Sequence, residues 1–185
     1  MSRLPLASRD TVPQDQAELF DELVKENGLD PHGILAALCH VPIPWRIVTE
    51  IREHTRFESS LPDDVVKVAI LVAGRELDCQ FLWNAHAESA GKAGVSAEIV
   101  EVLRERKELP PLPEKLSVTI QYGREIYRKH HVSHGTFSRA QELFGERGVV
   151  ELGLLFGSQH LFAVLINPLD VGLRAGRKQP ILPIY

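Results

Sequence analysis

The sequence is poor in cysteine, in basic residues relative to acidic ones, and in long apolar runs. Its 185 residues include 2 cysteines, Cys39 and Cys79, which are too few for a disulfide framework. Its net charge of −4 disfavours nucleic acid and acidic membranes as partners, because both require a concentrated basic surface. No uninterrupted apolar run reaches bilayer length, and the first residues do not resemble a signal peptide. We therefore expect a cytoplasmic protein.

The composition and the pattern of prolines and glycines predict one all-α domain. With 44% hydrophobic and 25% charged residues, the chain is long enough to bury a core without metal or disulfide staples. We expect an irregular arm over residues 1–12, a helical domain over 13–170, and a tail over 171–185. The run Pro110-Pro111-Leu112-Pro113 cannot continue a helix and divides the domain into two successive helical units, about 30–108 and 113–170.

Caps and stop signals predict the helix limits. The predicted helices cover residues 13–27, ended by Gly28; 30–39, opened by Asp30 and Pro31; 45–57; a segment opened by Pro62 and Asp63; 79–93; 96–107, capped by Ser96; 114–130; 133–144, capped by Ser133 and ended by Gly145; and 146–167. A bend near Leu77 or Asp78 separates the fourth helix from the fifth. The last helix is apolar almost all round, so we expect it in the centre of the core.

One stretch combines chemically reactive side chains at helical spacing. On a helix, Cys79, Leu82, Trp83, His86 and Ala90 share one face. That face holds a thiol, an imidazole and an indole, so it has the components of a reactive site. The alternative interpretation is that the same stripe is only the buried side of an amphipathic helix.

The same stretch resembles the carboxymuconolactone decarboxylase and AhpD-like alkylhydroperoxidase superfamily over roughly residues 30–170. The peroxidase branch carries a glutamate, eleven intervening residues, and then Cys-x-x-Cys-x-x-x-His. Here Cys79 stands at the first cysteine and His86 at the histidine, whereas Lys67 replaces the glutamate and Leu82 the second cysteine. Non-peroxidase relatives read Tyr-Glu-Trp-x-x-His, which is similar to residues 81–86. The likeness resumes at residues 131–152, which look like the family's second helical unit.

The resemblance implies roles for five residues. His86 is the expected acid/base and Cys79 a further catalytic candidate. Trp83 is the expected wall of the substrate site, and Lys67 or His160 would stabilise an anion or oxyanion. For each residue a structural role stays open: a buried apolar thiol, a core imidazole, a solvated lysine. No metal site is expected, because the histidines at 130, 131 and 134 lack the further ligands that a metal requires.

Three functions remain open at this stage. The first is a carboxymuconolactone decarboxylase-like enzyme that acts without a cofactor on a small cyclic or lactone-type organic acid. The second is a thiol-dependent peroxidase that uses Cys79, although Leu82 cannot resolve a sulfenic acid. The third is a non-catalytic oligomer that binds a small molecule. The resemblance also implies a homo-oligomer, a trimer or hexamer, and we expect the apolar tail to lie across a neighbouring subunit rather than on its own domain.

Overall fold

The protein is a bundle of helices joined by short turns. A computed structural model describes residues 2–30, 32–173, 175–176 and 179–184. Pro31, which is predicted to open a helix, lies outside these residues, as do parts of the predicted arm and tail. The helices are α1 (Ala17–Asn27), α2 (Leu35–Leu38), α3 (Pro42–Glu53), α4 (Asp63–Glu76), α5 (Gln80–Ala87), α6 (Ala97–Arg104), α7 (Glu114–Lys129) and α8 (His134–Ile166). The described ranges contain no strand, and the all-α prediction is confirmed.

Several predicted helix ends coincide with the observed ones. Ser96 caps α6, since its hydroxyl accepts a hydrogen bond from the backbone N–H of Ile99. Ser133 caps α8 in the same way, by accepting from the N–H of Thr136. Gly145 leaves helical geometry with a φ of 72°, so α8 consists of two segments joined at the predicted break. The predicted bend between α4 and α5 is present as well, with Asp78 at a φ of 47°.

The limits of several predicted helices differ from the observed ones. The helix expected from Asp30 begins only at Leu35, because Asp30 instead accepts the N–H of His32 in a local turn. The helix expected from Trp45 begins at Pro42, since prolines are tolerated in the first turn, where N–H groups need no partner. The helix expected over 79–93 ends at Ala87, and a separate 3₁₀ turn follows over Ala90–Ala93.

Helix α4 is the centre of the core. Its residues from Val65 to Arg75 are buried, with the exception of half-buried Lys67. Glycines let the neighbouring helices approach it closely: a Cβ at Gly74 would lie 3.1 Å from the backbone nitrogen of Trp83 on α5, and one at Gly123 on α7 would lie 2.8 Å from Val72. Helices α5 and α7 therefore pack directly against α4.

The expectation that the last helix lies in the centre of the core is wrong. Helix α8 buries one face, which includes Leu152, Leu155 and Phe156, against α4 and α7. Its other face exposes Val150, Leu154, Leu161 and Val164.

One 18-residue window of α8 is long and apolar enough to span a membrane, and 56% of that window is buried inside the domain. A core helix meets the same criterion, which makes this weak support for a membrane span.

Residues 179–184, the described end of the tail, pack on their own domain, contrary to the expectation that the tail crosses a neighbour. Leu182 is 1% exposed among the core side chains around α4. The amide of Gln80 donates to the carbonyl of Leu182 (2.7 Å) and accepts from its N–H (2.8 Å), and Arg75 donates to the carbonyl of Pro183 (3.1 Å). These bonds satisfy an extended backbone segment that has no strand partner.

We predict that Leu182→Ala destabilises the protein by about 3 kcal/mol, because it removes a buried side chain and leaves a cavity. Ile184 is the matched control, since it lies two residues away and is 50% exposed. Ile184→Ala should change stability by no more than about 0.5 kcal/mol. Urea unfolding of both variants measures the difference, and equal effects would show that the docked tail contributes nothing to stability.

Candidate functional site

A π-helical turn carries one side of the site. Helix α3 continues into a five-residue π turn, His54–Glu58, a rare conformation that is frequent at functional sites. The end of the turn is fixed to α8, because the backbone N–H and the hydroxyl of Ser60 both donate to Glu151 (2.8 and 2.5 Å). Glu151 also accepts from Arg147 (2.8 Å). This anchoring determines where Arg56, in the middle of the turn, is held.

Helix α5 carries the other side. Leu82, Trp83 and His86 are at most 7% exposed, so the stripe identified in the sequence faces the interior. The bend at Asp78 sets the direction of α5, and Cys79 is its N-cap residue. The spacing of the stripe places His86 about two turns further along the helix than Cys79.

His86, Lys67 and Ser89 form a contiguous polar group. The amine Nζ of Lys67 lies 3.4 Å from Nδ1 of His86 and donates to Oγ of Ser89 at 3.1 Å. The Ser89 hydroxyl in turn donates to the carbonyl oxygen of His86, also at 3.1 Å. With Nδ1 occupied by Lys67, the nitrogen Nε2 is the one available to a bound molecule. The contact joins the two positions that the resemblance aligned with the family's glutamate and histidine.

The electrostatic environment keeps His86 neutral. Burial lowers the pKa of His86 well below its usual 6.5, and the charges of Arg56, Lys67 and Arg52 lower it further. Burial and Arg56 also lower the pKa of Lys67, while Asp63 opposes that shift. The pKa of Arg56 is lowered by burial and by Arg52. Three cationic side chains thus surround one neutral imidazole.

Two cavities meet at Arg56. One, of about 200 Å³, is lined by His86 together with Arg52, Phe81 and Gln159. The other, of about 250 Å³, is lined by Lys67 with Asp63, Ser89 and Lys92. Arg56 lines both cavities. In the described part of the chain its guanidinium makes no ion pair, and it lies 5.1 Å from the ring centre of Phe57. The site therefore offers an unpaired cation to a ligand.

The structure places Cys79 and Trp83 away from these two cavities. Both are 0% exposed, and neither lines either cavity. Burial raises the pKa of the Cys79 thiol, although the N–H groups of Leu82 and Phe81 oppose the shift. Trp83 belongs to the core cluster around α4, and glycine at position 74 lets its backbone approach α4 closely. The two residues pack in the core, and the predicted indole wall is absent from the His86 cavity.

His160 is also separated from His86. Its ring stacks on Tyr127 at 6.0 Å and lines a different cavity with Tyr122, His130 and His131. No group of three potential ligands that could hold a metal ion occurs among the residues the structure describes. Of the five candidates, the fold thus brings together Lys67 and His86.

Sequence reasoning missed Arg56, Arg52 and Ser89. The two arginines lie in a stretch that reads as the polar side of an ordinary helix, and only the π turn directs Arg56 to the cavities. Ser89 follows His86 by three residues, which is the spacing of neighbours on a helix. That spacing was a signal in the sequence, whereas nothing in the sequence marks the π turn.

Comparison with known structures establishes the fold. The chain is similar to an uncharacterized peroxidase-related protein from Ralstonia eutropha JMP134, described as an alkylhydroperoxidase AhpD core, with 13% identity and a TM-score of 0.70 over 94% of this chain and 93% of that one. It is also similar to an uncharacterized peroxidase-related protein from Silicibacter sp. TM1040, with 15% identity and a TM-score of 0.72 over 95% and 93%. No protein-family model and no curated protein matches the sequence.

These structural similarities assign the chain to a fold class. The chain has the all-α AhpD-like fold, built of two successive helical units, as the sequence predicted. At 13% and 15% identity the similarity establishes the fold and not the chemistry.

We predict that His86 makes the folded protein less stable at acidic pH. The unfolded chain binds a proton at this residue below pH 6.5, whereas the folded chain does not until its much lower pKa is reached. Stability is therefore lost as the pH falls from 7.5 to 5.5, by about 1 kcal/mol from this group. Urea unfolding at both pH values measures the loss of stability. The His86→Gln variant lacks this titrating group, so it should lose about 1 kcal/mol less than the unmodified protein. An identical loss in both proteins would contradict a neutral His86.

Proposed function

We propose that the protein is a cofactor-independent carboxy-lyase, resembling carboxymuconolactone decarboxylase, that acts on a small cyclic or lactone-type organic acid. The observation that supports this most is a buried, neutral His86 held between the cationic groups of Lys67 and Arg56 at the junction of two cavities. Cations without carboxylate partners favour an anionic ligand.

Arg56 is the expected carboxylate anchor. A guanidinium can donate two parallel hydrogen bonds to a carboxylate, and Arg56 has no competing ion pair in the described ranges. Arg52 is less suitable, because Glu53 accepts from it at 2.6 Å. Held in this way, the acid group lies beside both His86 and Lys67.

Loss of carbon dioxide needs an electron sink and a proton donor. The electron pair of the broken carbon–carbon bond moves into a carbonyl or lactone group of the substrate, and the developing oxyanion faces Lys67. A His86 ring that accepts at Nδ1 carries its own proton on Nε2. It delivers this proton to the vacated carbon while Lys67 returns one to Nδ1, so the ring stays neutral throughout.

We predict that His86→Gln lowers turnover by about 100-fold or more, because it removes the proton donor. Small carboxylic acids that raise the melting temperature identify candidate substrates, since a ligand of the native state stabilises it. Release of carbon dioxide from those acids then measures turnover. Arg56→Gln should raise KM, and Cys79→Ala should retain turnover. A fully active His86→Gln protein would exclude this mechanism.

A thiol peroxidase is the second candidate. The structural relatives are described as peroxidase-related, and Cys79 lies at a helix N-terminus, which favours a thiolate. Against it, burial raises the pKa of Cys79, and both cysteines are free and buried. Rapid hydroperoxide consumption that Cys79→Ala abolishes would reverse the order of the two candidates.

Self-association is part of the proposal. Exposed apolar side chains follow one face of α3 and the outer face of α8: Ile43, Ile47, Ile51, Val150, Leu154, Leu161 and Val164. Exposed apolar surface of this extent favours contact with another protein surface, and a second copy is the partner implied by the resemblance, in a trimer or hexamer.

We predict that Leu154→Glu lowers the mass of the oligomer measured by light scattering, because a charge buried between subunits opposes their association. Leu4→Glu is the control, since Leu4 is similarly exposed, at 43% against 49%, on the N-terminal arm. If Leu154→Glu keeps the mass of the unmodified protein, this face is not the contact between subunits.

A further inference from the structure

The hydrogen bonds of Lys67 require two of its amine hydrogens. The Ser89 hydroxyl donates to the carbonyl of His86, so it can only accept from Lys67. The His86 ring accepts at Nδ1 in the tautomer described above. Two hydrogens satisfy both partners. The remaining tetrahedral position of Nζ is left for either a third proton or a lone pair.

The surroundings disfavour the third proton. Burial and the charge of Arg56, on the π turn, both lower the pKa of Lys67. Asp63, one turn earlier on α4, opposes this and does not cancel it. No carboxylate forms an ion pair with Lys67 within the ranges described. A partly buried lysine beside another cation is the arrangement that makes an amine nucleophilic.

The cavity beside the amine has room for a small carbonyl compound. It measures about 250 Å³, and the apolar side chains of Val66, Ile70 and Phe57 line it together with Lys67. Arg56 lines the same cavity, so a carboxylate and a reactive carbon on one small molecule can be held together. His86 supplies a proton carrier in contact with the amine.

We propose that Lys67 Nζ is a nucleophile that forms an imine with the ketone carbon of a small 3-oxo acid whose carboxylate is held by Arg56. This inference rests on the proposed function, from which it takes the acidic ligand and the role of His86. It narrows the substrate to acids that carry a ketone, and it replaces the electrostatic role of Lys67 by a covalent one.

Each step is balanced without an oxidant or reductant. The amine adds to the ketone carbon, and the oxygen leaves as water after taking two protons, one from the amine and one through His86, which leaves a protonated imine. The bond to the carboxylate then breaks, carbon dioxide leaves, and the electron pair forms a neutral enamine. The carbon takes a proton that neutral His86 relays from solvent, gaining one proton as it gives one up, and water hydrolyses the protonated imine to release the ketone, the free amine and a proton.

Reductive trapping tests the proposal on the unmodified protein. Incubation with 3-oxobutanoate and sodium cyanoborohydride reduces an imine to a stable secondary amine, which peptide mass spectrometry locates. We expect the adduct on Lys67, several-fold more than on Lys92, because the lowered pKa of Lys67 raises its fraction of free amine. Lys92 is the internal control, since it lines the same cavity but is exposed. Equal labelling of both lysines would overturn the proposal.

Two variants separate this inference from the proposed function. Lys67→Arg retains a cation but cannot form an imine, so the adduct and turnover of 3-oxo acids should both be lost, whereas Lys92→Arg should retain both. Arg56→Gln should reduce trapping of 3-oxobutanoate but not of acetone, which has no carboxylate. If Lys67→Arg keeps His86-dependent release of carbon dioxide, the imine is excluded and the acid–base mechanism stands. If the unmodified protein releases no carbon dioxide yet forms the adduct, the proposed lyase function fails instead.

Discussion

The close packing of α4 against its neighbours is the constraint on which the site depends. This helix is buried on nearly every side, and glycines at positions 74 and 123 remove the Cβ atoms that would hold α5 and α7 away. A charged residue on such a helix has few directions in which to extend. Lys67 extends toward His86 and Ser89, which are neutral, so its amine is satisfied by hydrogen bonds and not by an opposite charge.

That arrangement is a poor one for stability. Arg52, Arg56 and Lys67 repel one another, and burial further disfavours the charged forms of Lys67 and Arg56. Elsewhere the buried charges have partners: Glu125 accepts the N–H of Ser133 (2.8 Å) and an amide hydrogen of Gln121 (2.9 Å), which lowers its pKa to about 2. The contrast supports the proposal that the cations at the cavities bind a ligand, since strain of this kind concentrates where a protein binds or reacts.

The sequence predicted the parts of the fold that local chemistry determines. Ser96, Ser133 and Gly145 set helix ends through their own backbone and hydroxyl groups, so they were identified correctly. Long-range packing was harder to foresee. An apolar α8 reads as a central helix, yet only one face is buried, because periodicity does not reveal whether an exposed apolar face belongs to a core or to an interface. For the same reason Trp83 was expected at a cavity and lies in the core.

The π turn has a consequence for how this chain tolerates changes in length. A π turn closes its hydrogen bonds over five residues where an α turn uses four, so His54–Glu58 contains one residue more than a continuous helix would need. A homologue that lacks one residue there would continue α3 as a regular helix. Successive residues of an α-helix are about 100° apart around the axis, so Arg56 would then point away from the cavities. The proposed anion site thus depends partly on the number of residues in this turn, and a related chain with every side chain of the site would lose it by a single deletion.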